Sequence, residues 1–192
     1  MSIARFNKPL PSTPLAPPRS TMTFAEEILQ TPNVSANRSI TPQGVVFHHT
    51  CGTWEGDKSW VMNPDNARKG IYASYHCITD VNGDRRVFAK DHQRTWHAGK
   101  SHWMGRSDCN SFMLGFAFSG DSYPDRRFGW NINERQIESA LQWLAPRWIK
   151  WGLTLEMITD HRQVSPGRKD DLNPIAWEKL HNAISRRFQS AR

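Results

Sequence analysis

Two short apolar runs constrain this chain more than any other feature. Val45-Val46-Phe47, preceded by Gly44, and Phe112 to Ser119, closed by Gly120-Asp121, carry no alternating polar positions. Runs of that length bounded by turn residues read as strands buried on both faces, and such strands need layers above and below them. Ser74 to Val81, then Asn82-Gly83, then Arg85 to Ala89 reads as a hairpin, because Asn-Gly is the strongest short turn signal. The helices come late. Asn133 is placed to cap one, with Gln136 at the reciprocal position of a capping box. Ile137, Leu141, Leu144 and Trp148 share one of its faces, Pro146 should bend it, and Gly152 should end it. A last helix is expected from Asn173-Pro174, with Trp177, Leu180, Ile184 and Phe188 as its inner stripe. Strands first and helices interleaved or late predict an α/β fold: a single domain with a central mixed β-sheet flanked by helices.

The rest of the chain reads as connection or arm. Residues 1–22 include Pro9, Pro11, Pro14, Pro17 and Pro18 and little that could fill a core, so they are expected to form an extended arm outside a domain spanning 23–192. Thr23 with Glu26 matches a capping box and predicts a short helix through Leu29; a loop or short helix should cover 54–70. The N-terminus lacks the apolar region of a secretory signal, and no stretch approaches the roughly 20 apolar residues of a membrane span. Synthesis in the cytoplasm is the expectation. Cys51, Cys77 and Cys109 form no CxxC pair and read as free thiols. The net charge of +7 favours a polyanionic partner, yet the basic residues are scattered and no DNA- or RNA-binding signature accompanies them. An anionic cell-wall surface exerts the same attraction.

The chemistry gathers at strand ends. His48 and His49 close the first apolar run, His161 follows Ile158-Thr159-Asp160, and Asp170-Asp171 lie ten residues later across Pro166-Gly167. Two imidazoles and a carboxylate match a catalytic zinc site, which keeps one position open; a structural zinc site would use thiolates, and none is near this loop in sequence. Histidines near strand ends also serve as ordinary satisfied residues, so the pattern alone leaves both readings open.

The segments GVVFHHT, SYHCITDVNGDRRVF, TWHAGKS, NSFMLGFAFSGD and ITDHRQVSPGRKDDLNP occur in an order and spacing that resemble the zinc-dependent N-acetylmuramoyl-L-alanine amidases. That family includes phage lysozyme-amidases, the amidase of cell-wall recycling and animal peptidoglycan-recognition proteins. The likeness covers about residues 40–185 and is most specific at SPGRK-x-D. It implies the fold of that family, a Zn2+ cofactor, peptidoglycan as partner, and cleavage of the amide between N-acetylmuramic acid and the L-alanine of the stem peptide. By the same resemblance, His48, His161 and Asp171 are the metal ligands, with Asp170 the rival for the third place, and Lys169 stabilises the oxyanion. The recycling-type enzymes carry a catalytic Glu on the strand that here reads Gly115-Phe116-Ala117-Phe118-Ser119, so this chain lacks that carboxylate. Phage lysozymes and recognition proteins instead place a Tyr where this chain has Tyr75, which makes Tyr75 the expected catalytic partner.

Trp96 and His97 could line the substrate groove or simply pack. His49 is expected to do no more than touch the site from behind, and His76, His92, His102 and His181 receive no role. The setting implied is a monomeric phage endolysin, made in the host cytoplasm and reaching the wall after membrane permeabilisation. A non-catalytic wall receptor on the same scaffold is the alternative, but such receptors lack part of the metal triad.

Overall fold

The computed structural model describes residues 21–36, 39–120 and 131–189. The expected proline-rich arm, apart from its last two residues, lies outside them. A six-stranded sheet is built from β1 (Glu26–Ile28), β2 (Val45–His49), β3 (Cys77–Thr79), β4 (Arg85–Val87), β7 (Leu114–Phe118) and β8 (Ile158–Asp160), in the order β1-β4-β3-β7-β2-β8. Strands β5 (His102–Trp103) and β6 (Arg106–Ser107) form a separate small hairpin. Only the β3–β4 pair in the large sheet is antiparallel, so the sheet is mixed. The turn between β3 and β4 uses Gly83 at φ 87°, a conformation that its lack of Cβ makes inexpensive.

β1 corrects one expectation. The capping pattern at Thr23 and Glu26 predicts a helix, but the segment pairs in parallel with β4, matching Glu26 to Arg85 and Ile28 to Val87. A helix of seven residues gains little from its own hydrogen bonds. The strand gains ladder bonds plus two ion pairs, Arg85 to Glu26 and Arg86 to Glu27, both 2.8 Å.

Side chains alternate along β2, and the two faces meet different layers. Val45 and Phe47 join Leu114, Phe116 and Phe118 in a core covered by α3 (Glu134–Trp151) and α5 (Pro174–Gln189), through Leu141, Leu144, Leu180 and Ile184. On the opposite face, Val46 packs with Ala98, Met113 and Val164, while Ile78 and Ala117 pack under Val61 of α1 (Trp54–Met62). His48 shares that second face, against which α4 (His161–Val164) packs through Val164; α2 (Asp65–Arg68) follows α1. No disulfide joins Cys51, Cys77 and Cys109. No helix of the described residues is long and apolar enough to cross a membrane.

The helix boundaries follow their caps. Gln136 N–H donates to Asn133 Oδ1 and Asn133 N–H donates to Gln136 Oε1, closing the capping box, and Gly152 ends α3 at φ 59°. α3 runs unbroken through Pro146. Asn173 Oδ1 accepts from the Ala176 N–H ahead of α5. Asn133→Ala is expected to lower stability by about 1 kcal/mol and the Tm by roughly 2–4 °C, measured by calorimetry; an unchanged Tm would show the cap to be redundant.

Candidate metal centre

In sheets of parallel strands, side chains gather at the carboxyl ends of the strands, where loops leave room for a cleft. β2 is paired in parallel with both β7 and β8, and His48 stands near its carboxyl end. β8 ends at Asp160, and the chain turns at once into α4, whose first residue is His161. Asp160 makes that turn possible by accepting the Gln163 N–H at 2.8 Å. The loop after α4 returns Asp171 to the same place, held by Arg162 N–H donating to the Asp171 carbonyl at 2.7 Å.

His48, His161 and Asp171 each offer a donor atom, and the three atoms lie within 4.8 Å of one another. His161 Nδ1 is 3.1 Å from Asp171 Oδ1, His48 Nδ1 is 3.6 Å from Asp171 Oδ2, and the two imidazole centroids are 4.5 Å apart. All three residues are buried, whereas Asp170 is exposed and outside the cluster. The His49 N–H donates to Asp171 Oδ2 at 3.2 Å, so the backbone also holds the carboxylate. His161 Nε2 lies 3.3 Å from the Ala98 carbonyl oxygen and 3.4 Å from Arg168 Nη2.

The site suits a cation. Burial opposes ionisation of Asp171, but the neighbouring rings, His161 by hydrogen bonding and His48 beside it, outweigh that and hold the carboxyl far below the usual carboxylate range. Burial, reinforced by His161 and against the pull of Asp171, lowers His48 to about 4, so near neutral pH this ring is uncharged, the form that binds metals. His48 Nδ1 is buried and has no hydrogen-bond partner among the described residues. A buried polar atom left so is costly unless something else engages it. Two imidazoles, one of them with its nitrogen unsatisfied, and one carboxylate form a donor set that fits zinc.

Around this cluster, Tyr75 is half-buried with its ring 5.2 Å from that of His48, edge to face. Burial, with Asp171, Asp57 and Cys51 adding to it, raises the Tyr75 phenol far above its ordinary range. Lys169 is exposed, and its charge reaches His48, opposing protonation of that ring. Ala117 is level with His48 across the β2–β7 pair and is fully buried, so no carboxylate projects there. Trp96 is half-buried, with the Tyr72 ring 4.9 Å away and the Arg94 guanidinium 3.8 Å from its centroid. Tyr72, which no sequence signal marks, adds an exposed ring to that ledge.

His97 is placed differently from the groove-lining expectation. It is buried behind His48, with Nδ1 3.0 Å from His48 Nε2 and Nε2 3.1 Å from the Met113 carbonyl oxygen. His76, given no role by sequence, is buried behind His97, their rings 6.2 Å apart. Its Nδ1 accepts the Gly115 N–H and its Nε2 faces the Gln93 carbonyl at 2.9 Å. Neither arrangement has a local signal, because each depends on which strands become neighbours.

The profile of the N-acetylmuramoyl-L-alanine amidase family matches residues 37–174. The chain is 26% identical over 112 residues to the 1,6-anhydro-N-acetylmuramyl-L-alanine amidase AmpD of Haemophilus influenzae, a match covering 58% of each protein. The matched part thus spans under two thirds of that relative's length. Among solved structures, a selenomethionine derivative of AmpD superposes with a TM-score of 0.66 at 18% identity, covering 85% of this chain and 96% of that one. A mutant endolysin from Bacillus subtilis superposes with a TM-score of 0.64 at 15% identity, covering 84% and 99%. Both superpositions speak to the fold.

The buried imidazoles give the fold a pH dependence of definite sign. Burial lowers His76 from 6.5 to about 4, so between those values the unfolded chain binds the extra proton. Stability is complete above about pH 6.5 and is lost as the pH falls toward 4, by about 3 kcal/mol from His76 alone. Urea denaturation in the presence of a chelator should show this slope; a flat profile from pH 7 to about 4 would contradict it.

Proposed function

The chain belongs to the N-acetylmuramoyl-L-alanine amidase family, and on that premise we propose that it is a zinc hydrolase of bacterial peptidoglycan. The bond cut is the amide between N-acetylmuramic acid and the L-alanine of the stem peptide. The observation that carries this reading is the buried His48, His161 and Asp171 cluster with its unpartnered His48 Nδ1. Having all three ligands favours catalysis over the receptor reading.

An amide resists hydrolysis because water is a poor nucleophile and the tetrahedral intermediate carries a costly negative charge. Zinc, when bound, supplies a Lewis acid that polarises a carbonyl and makes water acidic near neutral pH. His48 and His161, each through a ring nitrogen, and Asp171, through its carboxylate, would hold it. Lys169 lies two residues from Asp171, and its ammonium stabilises the negative charge that develops on the carbonyl oxygen. Tyr75 keeps its proton at neutral pH and therefore acts as a hydrogen-bond donor beside His48, orienting the attacking water. Trp96 with Tyr72 offers apolar ring faces on which a sugar or peptide can lie.

The setting that fits is a phage endolysin, made in the host cytoplasm and acting on the wall as a monomer once the membrane is breached. Likeness to the Bacillus subtilis endolysin fold and the Tyr75-for-Glu pattern support it.

Mass spectrometry of digested peptidoglycan should show free stem peptides that begin with L-alanine; disaccharide fragments with intact peptides would defeat the proposal. Asp171→Ala is expected to lose zinc and activity together. Lys169→Ala should retain zinc and lose about 10²–10³-fold in kcat, and full activity in that variant would remove Lys169 from the mechanism.

A further inference from the structure

We propose that His97 is a positioning residue for the metal centre: its ring fixes His48 in the tautomer whose bare Nδ1 faces His161 and Asp171. The inference rests on the metal reading of that site.

Hydrogen-bond direction carries the argument. The Met113 carbonyl oxygen can only accept, so His97 Nε2, 3.1 Å away, must carry a proton and donate it. A neutral imidazole has one N–H, so His97 Nδ1 presents a lone pair. That lone pair lies 3.0 Å from His48 Nε2, which must then be the N–H donor. His48 is left with its own lone pair on Nδ1, the buried nitrogen that has no hydrogen-bond partner among the described residues. In the opposite tautomer, two lone pairs would face each other between His48 and His97, and an N–H would point at the metal position. His97 is buried with a ring nitrogen and a backbone carbonyl as its ring's hydrogen-bond partners, and an imidazolium without a counter-ion is costly there, so its ring is neutral.

The backbone around His97 is arranged to hold it there. Gly115 lies beneath the ring, and a Cβ at that position would stand 2.5 Å from His97 Cγ. Asn110 Oδ1, buried, accepts the N–H groups of both His97 and Ala98, at 2.9 and 2.8 Å. The same dipeptide braces the second ligand ring, since the Ala98 carbonyl oxygen lies 3.3 Å from His161 Nε2. One clamped pair of residues therefore backs both imidazoles, His48 through a side chain and His161 through a carbonyl. Partners of this kind behind a ligating histidine typically change metal affinity by 10–100-fold.

Two variants and one spectrum test the proposal without substrate. His97→Asn retains an acceptor near the position of Nδ1; His97→Leu removes it. Zinc Kd, measured by competition with a chromophoric chelator, should weaken about 10–100-fold in His97→Leu and stay within a few-fold of wild type in His97→Asn. Ring ¹⁵N shifts of the metal-free wild-type protein should show His48 protonated at Nε2 and bare at Nδ1. Equal zinc affinity in wild type and His97→Leu overturns the proposal, as does equal weakening in both variants, which is what a packing role gives. If His97→Leu does not fold, the spectrum decides: a His48 protonated at Nδ1 overturns the assignment. Wild-type protein that binds no zinc overturns the metal reading itself, whereas zinc binding that ignores His97 removes only the relay.

Discussion

β2 is hydrogen-bonded along both edges to parallel neighbours, and that double pairing determines which of its two histidines can act. With period-two alternation, His48 falls on the face of Val46, toward α4, and His49 on the opposite face. A slip of one residue in the register with β7 and β8 would exchange them and turn every apolar side chain of β2 to the wrong layer. The core beneath α3 and α5, built on Val45 and Phe47, therefore enforces the direction of His48. His49 contributes from behind, through a backbone N–H to Asp171 that does not depend on its side chain.

The electrostatics of the cluster follow from the same burial. A carboxylate taken out of water is costly unless hydrogen bonds and positive charge compensate it. Asp171 has the His49 N–H and the nearby His161 and His48 rings. The His48 ring cannot easily take up a proton to become its counter-ion, because burial opposes its charging, with His161 and Lys169 adding to that. A buried anion beside a His48 ring that burial keeps uncharged suits a divalent cation, and the unpartnered Nδ1 is consistent with that.

How much of this was legible in the sequence depended on how local each signal was. The buried strands, the Asn-Gly hairpin and the caps of α3 and α5 are local and were readable from a few adjacent residues. β1 was not, since its strand state comes from ion pairs and ladder bonds to β4, almost sixty residues away; the local capping pattern suggested a helix. Spacing and resemblance pointed to His48, His161 and Asp171, and the structure gathers those three while leaving Asp170 at the surface. His97 and His76 were beyond the reach of pattern. Their surroundings are Met113, Gly115, Gln93 and Asn110, residues that carry no chemical signature until the sheet order makes them neighbours.

The residue level with His48 on β7 has further consequences for the chemistry. Ala117 packs with Val61, Ile78 and Phe88, and Tyr75 lies against the same cluster. That wall is apolar, so electrostatic interactions across the site are strengthened. The remaining polar groups are unequal in kind: a phenol that burial keeps protonated, and a lysine at the exposed rim. On the proposed metal reading, with no carboxylate on the neighbouring strand, the orientation of His48 and His161, braced by His97 and Ala98, sets how the donor atoms are presented.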